Sequence, residues 1–384
     1  MAGSAVIVEA VLGAAYLGLV AVRAGLAAAV ARRQPASTAH RGSGVDVAQA
    51  ILSGDPRLAD VLGEAVRALP EARFLWLVDD HDADAHQVCA ALVAAHPDVR
   101  IDVLRLPPAP DRTNPKLWKL DAAYRASTAP VFLVLDDDTR MSAGTLGALV
   151  HALATHDLAT SLPIYRVRRD WPSQLLAQFV ATNAAVTYLS LQPWIAPVTI
   201  NGMAYAIRRP SLDAIGGFAP LVRHLTDDLA VATAVRSRGG TIAQVAATHE
   251  VETTVRDLTH YRQMMHRWSL FALLLLRTQP AAVQRRVALM LGLPSLLLLL
   301  LVVRAVWRPS LAGWAVVALV LLVRAAVIVR LLRAVGTPGR HRAMASIVGE
   351  LWQPIHLVHA LLSPVIVWRS RRYRVRANDD FEAA

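Results

Sequence analysis

Two hydrophobic patterns divide the chain. Apolar residues run almost unbroken from Ala5 to Val30, from Val287 to Val306 and from Leu311 to Leu332. Each run is close to the ~20 residues that a helix needs to cross a bilayer. Between the first run and the second, the pattern is that of a folded domain. Val45 to Ile51, Phe74 to Val78, Arg100 to Leu104 and Val131 to Leu135 read as strands. They alternate with helical stretches: Pro56 to Leu69 sets Leu58, Val61, Leu62, Ala65, Val66 and Leu69 on one face, and Ala83 to His96 follows the second strand. This alternation predicts an α/β domain, a parallel or mixed sheet covered by helices, with ligands beyond the carboxyl ends of the strands.

The polar residues in and beside the apolar runs set the rest of the expected organisation. A membrane anchor over 1–33 carries Glu9 and Arg23, and a linker over 34–44 contains Pro35 and two glycines. A folded α/β domain over 45–256, interfacial helices over 257–286, a transmembrane hairpin over 287–332 and a C-terminal region over 333–384 follow. Arg32, Arg33 and Arg41 come just after the first run, which places the next domain in the cytosol by the positive-inside rule. Ile347 to Trp368 is interrupted by Glu350, His356 and His359 and broken by Pro354 and Pro364. A re-entrant or interfacial hairpin is expected there, lying under the catalytic domain and helping to form a lipid entry path. The arginines from Arg369 to Arg376 then keep the C-terminus cytosolic.

Composition agrees with a soluble domain tethered to membrane helices. The chain is 55% hydrophobic with mean hydropathy +0.39, yet its pI is near 10.7. The net charge of +11 raises nucleic acid as a partner. Arginines gather next to apolar runs, however, as at Arg330, Arg333, Arg340 and Arg342, with no basic stripe interleaved with aromatics. Anionic lipid headgroups fit that pattern and nucleic acid does not. One cysteine, Cys89, excludes an internal disulfide and suits a reducing compartment. The expected location is the inner cell membrane, multi-pass, with the catalytic domain in the cytoplasm.

The candidate chemistry sits at strand ends. In VFLVLDDDTRM, from Val131 to Met141, a strand runs into three aspartates. Asp136 and Asp138 form a D-x-D that offers carboxylate oxygens to Mg²⁺ or Mn²⁺, whose remaining ligands are usually substrate phosphates. A strand continuing through them would project both to one face, whereas a turn after Asp136 would not. Asp80, His81 and Asp82 follow the second strand, where Asp would equally serve as a helix cap. Asn114, Pro115 and Lys116 precede a helix, with Lys116 available to a diphosphate as a point charge. Asp227 and Asp228 fit a catalytic pair or the acidic first turn of a helix. His249, Glu250 and Glu252 have no metal-like spacing and read as a sheet edge.

The order of these motifs resembles the ceramide glucosyltransferase family over roughly Val45 to Arg376. DDHDADAHQVC, TNPKLWKL, INGMAYAIRR, the acidic pair in HLTDDLAVA and the terminal WRSRRYRVR stand in that family's order. The resemblance implies a GT-A fold and inverting transfer of glucose from UDP-glucose to a membrane lipid hydroxyl, as in ceramide. It implies that Asp80 and Asp82 meet the base and ribose, and that Lys116, Asp136 and Arg267 bind the donor. Asp136 and Asp138 would hold the metal and Asp228 would act as base. Asn201, Gly202, Asp227 and Trp268 would lie on the acceptor side. In the family's last motif Arg267 and Trp268 match, but Met264 stands where Gln or Arg is usual. A processive polysaccharide synthase would need more spans and an intact motif, and an inactive membrane scaffold would fail to transfer or hydrolyse the donor.

Overall fold

Eight strands form one mixed sheet: β1 (Val45–Ile51), β2 (Arg73–Asp79), β3 (Arg100–Leu106), β4 (Val131–Leu135), β5 (Thr139–Arg140), β6 (Leu158–Tyr165), β7 (Ala204–Arg208) and β8 (Ile242–Val251). Their order across the sheet is β3-β2-β1-β4-β7-β6-β8-β5. The computed structural model describes residues 2–35, 38–368 and 371–383.

Alternation along the strands builds a three-layer core. Phe74, Trp76 and Val78 face one way with Leu58, Leu62 and Cys89. Leu75 and Leu77 face the other way with Leu117, Leu120 and Val231. Strands buried on both faces read as continuous apolar runs, which makes β2 and β4 legible, whereas β1 buries Asp46 and Gln49 among its apolar residues. Strands β1, β2, β3 and β4 pair in parallel, and β7 is antiparallel to both β4 and β6.

The chain leaves β1 toward β2 and β3, then returns to place β4 on the other side of β1. This reversal opens a crevice at the carboxyl ends of β1 and β4. The Leu52 amide donates to Asp137 Oδ2 at 2.8 Å across that point, so the middle aspartate of the triplet braces the crevice. Strand β8 lies between β6 and β5, which corrects the expected sheet edge. Buried Glu252 accepts from Arg140 and Arg166, and the His249 ring, its pKa pushed down to about 3 by burial, contacts Ser161 Oγ at 2.7 Å.

Contacts divide the chain into two compact units. The sheet unit comprises Gln34–Arg166, Ala196–Thr254 and Val367–Ala384. The helical unit comprises Met1–Arg33, Val167–Ile195 and Val255–Ile366. Helix Trp171–Leu189, inside the contiguous 45–256, therefore belongs with the helical unit. Its buried residues, from Leu175 and Leu176 to Val186 and Leu189, lie all around it, as expected of a helix enclosed by others.

Within the helical unit, Ile7–Arg33, Ala281–Trp307 and Leu311–Ala334 are long and apolar enough to cross a membrane. Tyr16, Val20, Leu298, Leu301, Val317 and Val320 form a shared core. Ala343–Leu362 is one helix with Pro354 inside it, which corrects the expected break there, and Pro364 lies beyond its end. Proline removes one backbone bond, and burial of Gly349, Glu350, His356 and Ala360 keeps the helix continuous through that loss.

Candidate active site

The crevice gathers the acidic motifs. Strand β4 ends at Leu135, and the Thr139 amide donates to the Asp136 carbonyl at 3.0 Å, so a turn and not an extended strand carries the three aspartates. Asp227 and Asp228 occupy the first turn of helix Asp227–Ser237, and Asp228 Oδ1 accepts from the Leu229 amide at 2.7 Å. The reading as the acidic first turn of a helix therefore holds. Lys116 lies between the two acidic groups, with Nζ 2.7 Å from Asp136 Oδ1, 2.7 Å from Asp227 Oδ2 and 2.8 Å from the Gly202 carbonyl. The Asp227 contact is an ion pair whose angles miss those of a hydrogen bond. With acceptors on three sides, this ammonium is the internal counter-ion of the cluster. That placement differs from a lysine held free for a diphosphate.

Gly202 earns its position by space. A β-carbon there would stand 3.2 Å from both Asp227 Oδ2 and Asp228 Cβ, so the glycine lets the acidic turn approach. Asn201 is buried, its Oδ1 accepting from the Met203 amide at 3.2 Å while its own amide donates to Thr160 Oγ1 at 3.1 Å. Both residues build the floor beneath the carboxylates.

The electrostatics follow from crowding. Burial first, then Asp138 and Asp227, raise the Asp136 pKa to about 7 against the opposing pull of Lys116. Burial and then Asp227 raise Asp228. Lys116 is held above its usual range by Asp136 and Asp227 despite burial. Like charges this close disfavour full ionisation unless a further cation joins them. Asp138 accepts from Thr253 Oγ1 and, at 3.2 Å, from Thr139 Oγ1, which orients its carboxylate. No group of three or more His, Cys, Asp or Glu poised to hold a metal occurs among the described residues. A pair of carboxylates nevertheless fits a cation that completes its shell with phosphate oxygens.

Beside the acidic cluster's strand ends, Leu52, Ser53, His81, Asp82, Ala83 and Asp84 line a cleft of about 360 Å³. Asp82 is buried at its base and caps helix Ala83–Ala95: its oxygens accept from the Ser53 amide at 2.9 Å and the Ala85 amide at 3.0 Å. Those amides favour the charged form, and its pKa is lowered even against desolvation. Asp82 thus shapes the cleft, while Asp80 and His81 are exposed. Lys119 is a supporting residue that sequence reasoning passed over. It bridges the ends of β1 and β2, with Nζ 2.9 Å from the Ile51 carbonyl and 2.9 Å from Asp79 Oδ2.

Two further residues take structural roles that the sequence did not show. Asn114 caps helix Pro115–Ala126 through Oδ1 and donates through Nδ2 to the carbonyls of His224 at 3.1 Å and Leu225 at 3.0 Å, fastening the lysine helix to the segment before Asp227. Tyr205, opposite Val134 in the β4–β7 register, is fully buried with a hydroxyl that finds no hydrogen-bond partner among the described residues. Burial and the charge of Asp227 keep that phenol protonated. The β4 neighbour was the available signal for it. Arg267 and Trp268 lie on helix Leu258–Arg277 of the helical unit, where Trp268 packs on Phe179 with ring centroids 6.2 Å apart. Next to them, His266 stacks on His359 at 4.1 Å and its Nε2 lies 3.0 Å from the Ser363 carbonyl.

The model of glycosyl transferase family 21 matches residues 6–381. The chain belongs to glycosyl transferase family 21. It is similar to ceramide glucosyltransferase 1 of Caenorhabditis elegans, with 25% identity over 169 residues, 43% of this chain and 36% of that protein. The match thus spans about a third of the length of this curated relative. Among solved structures it resembles a mannosyltransferase from Pyrobaculum calidifontis in complex with GDP-Man and Mn²⁺: TM-score 0.52 and 16% identity, covering 91% of this chain and 98% of that one. A glucosyl-3-phosphoglycerate synthase from Mycobacterium tuberculosis in complex with Mn²⁺, UDP and glucosyl-3-phosphoglycerate matches with TM-score 0.35 and 17% identity, over 64% of this chain and 82% of that one. The family 21 chain has a GT-A-like mixed sheet and, among the described residues, three helices long and apolar enough to span a membrane.

Proposed function

We propose that this family 21 enzyme transfers a hexose, glucose by its relationship to ceramide glucosyltransferase, from a UDP-sugar to the hydroxyl of a membrane lipid, with inversion. The observation that carries the reading is the cluster of Asp136, Asp138, Asp227 and Asp228 around Lys116 at the crevice between β1 and β4. Asp228 accepts the proton of the acceptor hydroxyl as its oxygen bonds to the anomeric carbon. The bond from that carbon to the diphosphate breaks, and its electron pair leaves with the nucleotide. Lys116 holds Asp136 and Asp227 in place through this step. A divalent cation, Mg²⁺ or Mn²⁺, held by Asp136 and Asp138, would supply positive charge to the departing diphosphate. Asp80 and Asp82 would meet the base and ribose, as the family motif suggests, beside a cleft that His81 and Asp82 line. Arg267 and Trp268 keep donor and acceptor roles proposed from the family motif.

The direct test is purified protein with labelled UDP-sugars and lipid acceptors, read by mass spectrometry. A labelled glycolipid is expected. Donor consumption with neither glycolipid nor free sugar would overturn the reading, and a growing polysaccharide would indicate a synthase instead. The same preparation tests the cation: chelation or Asp138→Ala should weaken the nucleoside diphosphate far more than the nucleoside, because a cation held by Asp136 and Asp138 would supply positive charge to the phosphates. Equal loss of both ligands in a titration would mean that the site itself had been disrupted. For topology, a reporter fused at the C-terminus should be active on the cytosolic side, and activity confined to the external face would reverse the proposed orientation.

A further inference from the structure

The C-terminal segment reaches the catalytic turn. Strands Arg371–Val375 and Phe381–Ala383 pair antiparallel, and the bend between them is closed by the Arg376 and Ala377 amides on the Asp380 carbonyl, at 2.9 and 3.1 Å. Asn378 stands at the tip of this hairpin. Its Oδ1 accepts from the Thr226 amide at 2.7 Å and from Thr226 Oγ1 at 2.8 Å, and its carbonyl accepts from the Leu225 amide at 2.7 Å. Thr226 is the N-cap of the helix that begins with Asp227 and Asp228, yet it makes no side-chain cap to that helix. Threonine at an N-cap ordinarily bonds an amide of the first turn. Here the hydroxyl and amide both turn to Asn378, more than 150 residues away, and Asn114 grips the carbonyls of His224 and Leu225 from the other side.

From this geometry we infer that Asn378 is a positioning residue for transfer, fixing the Leu225–Thr226 backbone so that the Asp228 carboxylate meets the acceptor hydroxyl at the correct distance. The inference rests on Asp228 being the base. The segment just before a catalytic turn has little slack: displacement of a reacting group by about 1 Å costs on the order of 100-fold. Three hydrogen bonds from a single asparagine hold two consecutive residues against such a displacement. The bend carrying it packs into the sheet unit through Val375 and Phe381, which are buried.

The test compares wild type, Asn378→Ala, Asn378→Asp, Thr226→Val and Asp228→Asn for transfer kcat, donor KM and thermal midpoint. Asn378→Ala is expected to lower kcat about 10- to 100-fold with donor KM within about 2-fold. Asn378→Asp keeps an acceptor oxygen at the same place and is expected to recover kcat to within about 3-fold of wild type, a rescue that general loss of structure would not give. Thr226→Val, which removes one of the three bonds and leaves the tail intact, should fall between them and covers the case in which Asn378→Ala does not fold. Near wild-type kcat in both Asn378→Ala and Thr226→Val overturns the inference, and so does an Asn378→Asp enzyme as slow as Asn378→Ala. An Asp228→Asn enzyme that stays active overturns instead the assignment of the base.

Discussion

Asp228→Asn is expected to lower transfer by 10²- to 10⁴-fold while donor affinity stays nearly unchanged, because a general base acts on the transition state and not on the bound donor. Folding should survive the change. Asparagine keeps the acceptor oxygen that receives the Leu229 amide, and it removes the repulsion that Asp227 exerts on a second half-buried carboxylate. The pH profile gives an independent reading. Burial and Asp227 raise the Asp228 pKa to about 7, so the base is protonated and idle below that pH, and the rate should climb with pH until it flattens above it. Saturating divalent cation relieves the crowding among the carboxylates and should move this limb to lower pH. The residual rate of the asparagine enzyme should lack the limb. Retention of more than about a tenth of wild-type transfer would assign the base elsewhere.

What could be read from the chain in advance follows from its physics. β2 and β4 are legible because strands buried on both faces concentrate apolar residues, as FLWLV and VFLVL do. The acidic groups were legible because carboxylates at strand ends and helix starts are visible one motif at a time. Their relations were not. Lys116 belongs by position to a donor-side motif, but in space it lies between Asp136 and Asp227, a fact set by the packing of helix Pro115–Ala126 on the sheet. Asp82 shows both capping and binding potential, and only the folded chain shows that its oxygens accept from the Ala85 amide, as a cap, and from the Ser53 amide. Asn378 had no local signal at all, since its partners at 225 and 226 are brought to it only by the folded hairpin. Helix Ala343–Leu362 misled through Pro354: a single proline is a strong local break, and only tertiary burial shows that the helix continues through it.

That same helix carries the second large effect. Glu350 is buried between two guanidinium groups of the helical unit, 2.6 Å from Arg324 and 3.5 Å from Arg23, and it accepts from the Tyr16 hydroxyl at 3.1 Å. Arg324 also donates to Ser346 Oγ at 2.8 Å and is 1% exposed. Charges removed from water this thoroughly persist only when paired, and deleting one partner of a buried pair costs about 3–5 kcal/mol. The two directions of deletion are unequal. Arg324→Leu leaves Glu350 with Arg23 as counter-ion, whereas Glu350→Leu leaves two buried guanidinium groups near each other with no carboxylate between them. Glu350→Leu is therefore expected to lower the apparent thermal midpoint in detergent by on the order of 10 °C, and Arg324→Leu by clearly less. Glu350→Gln, which can still accept from Tyr16 and Arg324 but carries no charge, should lie between Glu350→Leu and wild type. A shift below about 2 °C for Glu350→Leu, or a larger one for Arg324→Leu, would show that the cluster is solvated and that helix Ala343–Leu362 is not tied to the long apolar helices through it.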